Sequence, residues 1–367
     1  YDSTKLYRLT QKVGTLPVSG GGVNTVQNYA YTYDPVGNIT KVVDTSSLNT
    51  AKTVDYTYDD LHRLTNATSI NAANNQNFDI DYEYDSIGNI TYRSDAGTYG
   101  YNGLGKGNFS NPHAVTSITY DGFTTNLTYD KNGNMTKNGF NLYTWDYNNR
   151  LVTAVYDGAL PVPTTYGYDA RGMRVRMTDM NGVVNVYPSQ SYNTSGAVAG
   201  PEVQKHIFAG EGLVATIKGS GSGASKSFAQ TDHLGSTSVV SDVAGAVAES
   251  VDYFPFGAIR SSDLAAGTSE QRKYIGQEYD AERRLSYLEA RYYNGDIGRF
   301  LSQDAVHLSF GDTNAIKAVT GLEIQQFLMD PQSFNGYGYA RNNPITLKDP
   351  NGEFWGELGE YISKAGY

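Results

Sequence analysis

Aromatic and polar residues alternate in short phrases along the chain. In the stretch "YAYTY", Tyr29, Tyr31 and Tyr33 are separated by small residues. Because successive side chains of a β-strand point to opposite faces, a period of two places the three rings on one face. The alternation therefore predicts a β-strand with an aromatic face.

The residues after each aromatic run favour a tight turn. In "YDPVGNIT", Asp34 can accept hydrogen bonds from backbone groups two residues on, and Pro35 presets the φ angle of a turn. Gly37 and Asn38 tolerate the left-handed backbone that many hairpin loops need. Ile39 then begins a return strand. Each phrase is therefore predicted to form one β-hairpin.

The phrase recurs, but its spacing varies between 16 and 45 residues. A varying period favours one continuous winding sheet over a strict solenoid. The tyrosines are interpreted as structural residues of this sheet, in preference to a ladder that binds sugars. The aspartate of the phrase occurs at Asp34, Asp59, Asp85, Asp130, Asp146 and Asp169.

Composition narrows the functional classes. The 367 residues carry a net charge of −10 and contain no basic cluster, which argues against a nucleic-acid-binding surface. The chain has no cysteine, and none of its five histidines stands in a spaced metal-binding pair, so neither a metal nor a cofactor is predicted. No apolar run is long enough to span a membrane. Residues 1–10 already resemble a repeat, so we expect the N-terminus to be a cut into a longer protein.

Several longer motifs resemble the YD repeats and the repeat-associated core of the Rhs family. The repeat phrase is similar to the YD repeat itself. The core motifs are "TDHLGSTSVVSD" (231–242), "DYFPFG" (252–257), "YIGQEYD" (274–280), "YLEARYYNGDIGRFLSQD" (287–304) and "DPQSFNGYGYARNNPITLKDPNG" (330–352).

The resemblance implies an all-β fold. A spiralling antiparallel YD-repeat sheet would form a hollow shell, closed by the Rhs-associated core, with one or two short helices near the C-terminus. The implied domains are a YD-repeat β-shell (1–227), a core or cap (228–352, with an insertion at 305–329) and a C-terminal tail (353–367). The tail is interpreted either as the start of a cargo segment or as a segment that docks inside the shell. Bacterial relatives enclose a toxic segment, whereas animal teneurins use a similar barrel for adhesion.

The resemblance also implies a self-cleavage site made of aspartates. Asp349 of "DPNG" matches one family position, and Asp304, which closes "GRFLSQD", matches the other. Two carboxylates that share one proton need a raised pKa. Arg299 is predicted to hold one of them in place. The alternative interpretation is that both aspartates only cap turns.

The bond to be cut is predicted near Gly352, Glu353 and Phe354. Two residues depart from the family pattern: Ala305 follows Asp304 where a proline is usual, and Glu353 stands where a leucine is usual. A charged residue is costly to bury in a pocket made for leucine. If the chain has an enzymatic activity, we expect it to be this self-cleavage and no other.

The insertion and the tail are predicted to contain helices. Thr320 and Glu323 have the spacing of a capping box, and the helix should end before Asp330-Pro331. This helix is interpreted either as a plug or as a surface decoration. The tail places Phe354 and Trp355 at helical spacing with later apolar residues.

Taken together, these motifs predict a secreted or cell-surface protein that holds or presents its own C-terminal segment. The alternative is a teneurin-like extracellular adhesion module without proteolysis. The expected partners are the chain's own cargo segment and a component of the cell surface or of a secretion system. A closed shell has no unpaired sheet edge to cover, so we expect a monomer.

Overall fold

The computed structural model describes most of the chain. The described residues are 8–18, 21–48, 52–71, 77–101, 111–158, 161–196, 200–210, 212–265, 269–309 and 312–353. Residues 354–367, including Phe354 and the apolar positions of the tail, lie outside them.

Antiparallel strands dominate the described residues, which confirms the all-β prediction. Twenty-three strands belong to one sheet. They are β1 (Gln11–Pro17), β2 (Val23–Tyr33), β3 (Ile39–Asp44), β4 (Lys52–Tyr58), β5 (Leu64–Asn71), β6 (Phe78–Tyr84), β7 (Ile90–Arg93), β8 (Gly97–Gly100), β9 (Ser117–Tyr120), β10 (Phe123–Tyr129), β11 (Met135–Asn138), β12 (Asn141–Trp145), β13 (Leu151–Tyr156), β14 (Thr164–Tyr168), β15 (Arg174–Thr178), β16 (Val184–Ser189), β17 (Tyr192–Gly196), β18 (Glu202–Ala209), β19 (Gly212–Lys218), β20 (Ser225–Thr231), β21 (Thr237–Ser241), β22 (Val247–Tyr253) and β23 (Ile259–Leu264).

The chain then forms a second sheet of four short strands, followed by two short α-helices. These elements are β24 (Glu278–Asp280), β25 (Leu285–Leu288), β26 (Arg291–Asn294), β27 (Arg299–Phe300), α1 (Thr313–Thr320) and α2 (Ile324–Met329).

The chain forms two compact units, each built from separate stretches. The first unit comprises residues 1–81, 204–278 and 342–348, and the second comprises 82–203, 279–341 and 349–367. Within each unit, strands pair mostly with the strand that follows them in sequence, as in the runs β1 to β5 and β9 to β16. The predicted domain boundaries at residues 228 and 353 remain a prediction.

The turn aspartates close the hairpins as predicted. Asp34 Oδ1 accepts hydrogen bonds from the backbone N–H groups of Gly37 (2.7 Å) and Asn38 (2.9 Å), and its Oδ2 accepts one from the Asn38 side chain (2.7 Å). Gly37 has a φ of +111°, a backbone conformation that favours glycine. The asparagine therefore belongs to the turn, and the side chain of Asn38 is buried within it.

The second aromatic residue of the phrase has a further role. Its polar tip donates a hydrogen bond to a backbone carbonyl of the preceding hairpin. The donor and acceptor pairs are Tyr33 with Leu9 (2.7 Å), Tyr58 with Ile39 (2.7 Å), Tyr129 with Val115 (3.0 Å), Trp145 with Met135 (2.7 Å) and Tyr168 with Leu151 (2.6 Å).

The residues between the aromatic positions lie on the opposite, exposed face. There, threonine hydroxyl groups pair across the strands, as in Thr57 with Thr65 (2.9 Å) and Thr128 with Thr136 (2.8 Å). Such cross-strand pairs each stabilise a sheet by a few tenths of a kcal/mol to about 1 kcal/mol. The period of two predicted from the sequence thus separates a ring-bearing face from a hydroxyl-bearing one.

The insertion contains two short helices rather than one. Thr320 ends the first, where its hydroxyl group donates to the carbonyl of Ile316 (2.8 Å). The predicted capping box at Thr320 is therefore wrong. Glu323 is the N-cap of α2, and its backbone N–H donates to the Gln326 side chain (3.1 Å). The helix ends at Met329, before Asp330-Pro331, as predicted. The helices pack on a small core of Val306, Ile316 and Phe327.

Candidate active site

Three segments of the second unit converge on one buried arginine. Arg291 is the first residue of β26, Asp304 follows β27, and Asp349 opens a tight turn that ends at Gly352. The side chains of Arg291, Asp304 and Asp349 are each more than nine-tenths buried. The core motifs 287–304 and 330–352 thus meet at a single point.

Arg291 binds both aspartates through one nitrogen atom. Its Nη2 lies 2.8 Å from Asp304 Oδ2 and 3.1 Å from Asp349 Oδ2. Its Nη1 donates to the carbonyl of Gly336 (2.9 Å), and its Nε donates to the carbonyl of Gly352. The two carboxylates therefore lie together beside the backbone of the "DPNG" turn.

The other oxygen of each carboxylate caps a turn. The backbone N–H of Val306 donates to Asp304 Oδ1 (2.9 Å), and that of Gly352 donates to Asp349 Oδ1 (2.8 Å). The sequence leaves self-cleavage and turn capping as alternative roles for the two aspartates. Each aspartate caps a turn with Oδ1 and binds Arg291 with Oδ2, so turn capping does not exclude a second role.

Only glycine fits at the end of this turn. Gly352 has a φ of +66°, and a Cβ atom there would lie 2.3 Å from the carbonyl oxygen of Leu288. The backbone N–H of Ala290 donates to the carbonyl of Asn351 (3.0 Å), which holds the turn against the β25–β26 hairpin. Close backbone approach thus explains the glycine of the motif.

Burial raises the pKa of both aspartates. The pKa of Asp304 is raised from 3.8 to about 6 by burial, against the lowering effect of Arg291, and the charge of Glu353 adds to the rise. The pKa of Asp349 is raised to about 6 by burial, again opposed by Arg291, with the charge of Asp304 adding to the rise. Neighbouring carboxylates with raised pKa values are suited to share one proton near neutral pH.

The guanidinium group beside the aspartates belongs to Arg291, whereas the sequence predicts Arg299 in this place. Arg299 Nη1 donates to Asn335 Oδ1 (3.2 Å), and its Nη2 donates to the hydroxyl group of Tyr101. Arg299 is closer to Asp304 in sequence, but hairpin pairing sets the neighbours in space. In the sequence, only the place of Arg291 within the core motif "YLEARYYN" could have pointed to its role beside the aspartates.

Glu353 is exposed and held by its neighbour. Its backbone N–H donates to Asn351 Oδ1 (3.2 Å), and the Asn351 amide donates to Glu353 Oε2 (3.3 Å). The charged side chain therefore needs no leucine-type pocket, because it lies at the surface.

This arrangement has the parts for attack of water on a peptide bond. One carboxylate can accept a proton from water, while a protonated partner can donate one. The Nε donor of Arg291 already points at a backbone carbonyl, where negative charge would develop during such an attack.

Comparison with known proteins gives matches over most of the chain. The model of the family described as "Teneurin YD-shell" matches residues 21–345. The tRNA3(Ser)-specific nuclease WapA of Bacillus spizizenii is 29% identical over 282 residues, which are 75% of this chain and 11% of that protein. The double-stranded DNA deaminase toxin A of Burkholderia cenocepacia is 27% identical over 271 residues, or 66% of this chain and 17% of that protein. The chain thus spans less than a fifth of the length of these relatives.

A solved structure has the same fold. The Photorhabdus luminescens Tc holotoxin pore matches with a TM-score of 0.65 and 19% identity, covering 90% of this chain and 17% of that one. The family match extends over the repeats and most of the core motifs, and it confirms the resemblance drawn from them. The chain belongs to the Teneurin YD-shell family.

Proposed function

We propose that the chain is the β-shell region of an Rhs-type secreted protein, which encloses or presents its own C-terminal segment and cuts the chain beside Gly352. The relatives named above support a toxin context, since two are a nuclease and a deaminase toxin. Those activities belong to proteins much longer than this chain. The cargo, a surface or secretion-system partner and a monomeric state are parts of the proposal.

One observation carries the proposal: Asp304 and Asp349 are bound to the same nitrogen of Arg291, next to the Gly352 carbonyl. Two buried carboxylates cost several kcal/mol of desolvation, which one arginine offsets only in part. Each aspartate caps its own turn with Oδ1, and capping alone does not require the two Oδ2 atoms to share one arginine nitrogen. This sharing supports a reaction that uses both carboxylates.

In the proposed reaction, the ionised aspartate removes a proton from water as the water oxygen bonds to the Gly352 carbonyl carbon. The protonated aspartate gives its proton to the departing nitrogen of Glu353 as the C–N bond breaks. The products are a carboxyl group on Gly352 and an amino group on Glu353. Arg291 stabilises the negative charge on the Gly352 oxygen during the attack.

Intact-mass measurement of the 367-residue chain tests the proposal. We expect prolonged incubation near pH 6 to release the segment that begins at Glu353, and N-terminal sequencing of that segment to separate this bond from the Glu353–Phe354 bond. Asp304→Asn and Asp349→Asn should each stop the cut, because the second carboxylate alone cannot both accept and donate the proton.

Asp296→Asn is the matched control. This aspartate lies in the same core motif and pairs with the exposed Arg284 at 2.7 Å, so cleavage should continue in that variant. A wild-type chain whose mass never changes would refute self-cleavage and leave the two aspartates as turn residues.

A binding module without proteolysis is the second candidate, and exposed rings of the second unit favour it. Phe123 is 79% exposed, Phe140 62% and Tyr147 90%. Contiguous exposed apolar groups often mark interaction surfaces, and Phe140 contacts a second exposed ring, Tyr156, with ring centres 5.5 Å apart. An intact chain that loses binding to cell surfaces when Phe123 and Phe140 are replaced by serine would support this candidate.

A further inference from the structure

An aromatic ring lies against the arginine of the candidate active site. The guanidinium carbon of Arg291 lies 3.6 Å from the centre of the Phe300 ring. Phe300 follows Arg299 in β27 and is fully buried. Its backbone N–H donates to the carbonyl of Tyr337 (3.2 Å), so its own position is fixed by the chain.

Two further buried rings hold Phe300 in place. The ring centres of Phe300 and Tyr293 are 5.4 Å apart with an interplanar angle of 61°, and those of Phe300 and Tyr339 are 6.1 Å apart. Tyr293 and Tyr339 themselves lie 4.5 Å apart. Closely packed buried rings have few alternative rotamers, so the face presented to Arg291 is rigid.

The contacts of Arg291 explain why a ring packed against its guanidinium group affects the site. The N–H groups of a guanidinium lie in its plane, and here all three nitrogens donate within that plane to Gly352, Gly336 and the two aspartates. A ring against the face of the group competes with none of these donors. It opposes the tilting that would move the donors away from their acceptors.

We propose that Phe300 is a positioning residue that acts through Arg291, holding the guanidinium plane in line with both aspartates and the Gly352 carbonyl. The proposal rests on the proposed self-cleavage, because it assigns Phe300 a part in the geometry of that reaction. In this role Phe300 acts only through the guanidinium group and takes no part in making or breaking bonds.

Replacement of the ring tests this role. Phe300→Leu should slow cleavage about 100-fold, which is the effect of displacing a catalytic contact by about 1 Å. Phe300→Tyr keeps the ring face and should retain most of the rate. The matched control is Phe327→Leu, since Phe327 is also fully buried but packs in the insertion core with Val306 and Ile316.

A second measurement does not depend on cleavage. Hydrogen exchange of the Arg291 Nε–H, followed by NMR in the intact Asp304→Asn chain, reports how firmly this donor is held by Gly352. We expect exchange to be at least tenfold faster when Phe300→Leu is added and unchanged when Phe327→Leu is added. If the wild-type chain does not cleave, the proposed function fails, and the exchange rate still decides the positioning role. Equal exchange in the two leucine variants, or equal cleavage rates, would overturn the inference.

Discussion

Five of the aromatic residues that precede turn aspartates join two hairpins through their polar tips. The ring supplies buried area, and the hydroxyl group satisfies a carbonyl of the preceding hairpin. A buried carbonyl without a donor costs about 1–3 kcal/mol. This dual requirement explains why tyrosine, rather than phenylalanine or leucine, recurs at the position.

Removal of one such hydroxyl group should weaken the fold measurably. Tyr129→Phe deletes the 3.0 Å hydrogen bond to the carbonyl of Val115 and should lower the free energy of unfolding by about 1 kcal/mol or more. Urea denaturation measures this change. Tyr147→Phe is the control because Tyr147 is 90% exposed, and an equal loss in both variants would contradict the role assigned to the hydroxyl group.

The raised pKa values of the two aspartates predict a specific dependence of stability on pH. Both folded-state values are about 6, above the ordinary 3.8, so the folded chain binds more protons than the unfolded chain between these values. Their contribution to stability is full below pH 3.8 and is lost as the pH rises through about 6.

Asp349→Asn should flatten this part of the profile. Urea denaturation at a series of pH values between about 4 and 7 gives the comparison. Asp60→Asn, at an exposed turn position, should leave the profile of the wild-type chain unchanged. If Asp349→Asn and the wild type lose stability in parallel across the series, the raised pKa of Asp349 is wrong.

At the level of elements, a buried ionic cluster holds residues 270–278 against three strands of the first unit. Lys273 binds Glu249 of β22, and the hydroxyl group of Thr216 on β19 donates to Glu270 Oε2 (2.6 Å). His206 Nδ1 on β18 lies 3.1 Å from the Thr216 oxygen. Since the Thr216 proton is given to Glu270, His206 must donate from Nδ1.

One further ion pair and one hydrogen bond adjoin this cluster. Arg272 Nη2 lies 3.0 Å from Glu278 Oε1, and the side chain of Lys218 donates to the carbonyl of Ser269 (2.9 Å). Both cations oppose the protonation of His206, whereas Glu270 and Glu278 favour it, and burial outweighs all of them. Protonation of His206 would therefore change the charge of the cluster that holds residues 270–278 against the strands.

The cluster should make the first unit sensitive to acid. Burial lowers the folded-state pKa of His206 below its ordinary 6.5, so the stability that it contributes is present above pH 6.5 and is lost as the pH falls through the folded value. His206→Gln keeps a donor toward Thr216 and should remove this part of the acid sensitivity. Urea denaturation of the two chains at pH 7 and pH 5 measures it, and identical acid sensitivity in both chains would count against the cluster.

At the scale of the whole molecule, the sequence predicts those structural features that depend on a few consecutive residues. Alternating tyrosines and the turn residues from Asp34 to Asn38 predict antiparallel hairpins, because strand period and turn chemistry act over a few residues. That Asp304 and Asp349 belong to one site is implied by the family resemblance of the core motifs, and local pattern alone does not predict it.

Contacts set by the tertiary fold could not be predicted in this way. Arg291 reaches the aspartates only because β25 and β26 pair and the "DPNG" turn packs on their connection. Thr320 matched the spacing of a capping box, yet Glu323 took the N-cap because the preceding helix extends to Thr320. Sequence spacing identifies residues that could serve as the N-cap or as the partner of an aspartate, but the packing of the folded chain decides which of them does so.

The hydrogen bond from each phrase to the hairpin before it has a consequence for how such chains change over evolutionary time. A hairpin that depends mainly on its predecessor can be duplicated or deleted as a unit by recombination, with the new junction rebuilding the same tyrosine-to-carbonyl link. The irregular spacing of the aspartates, from 16 to 45 residues, is what a history of such unequal exchanges would leave.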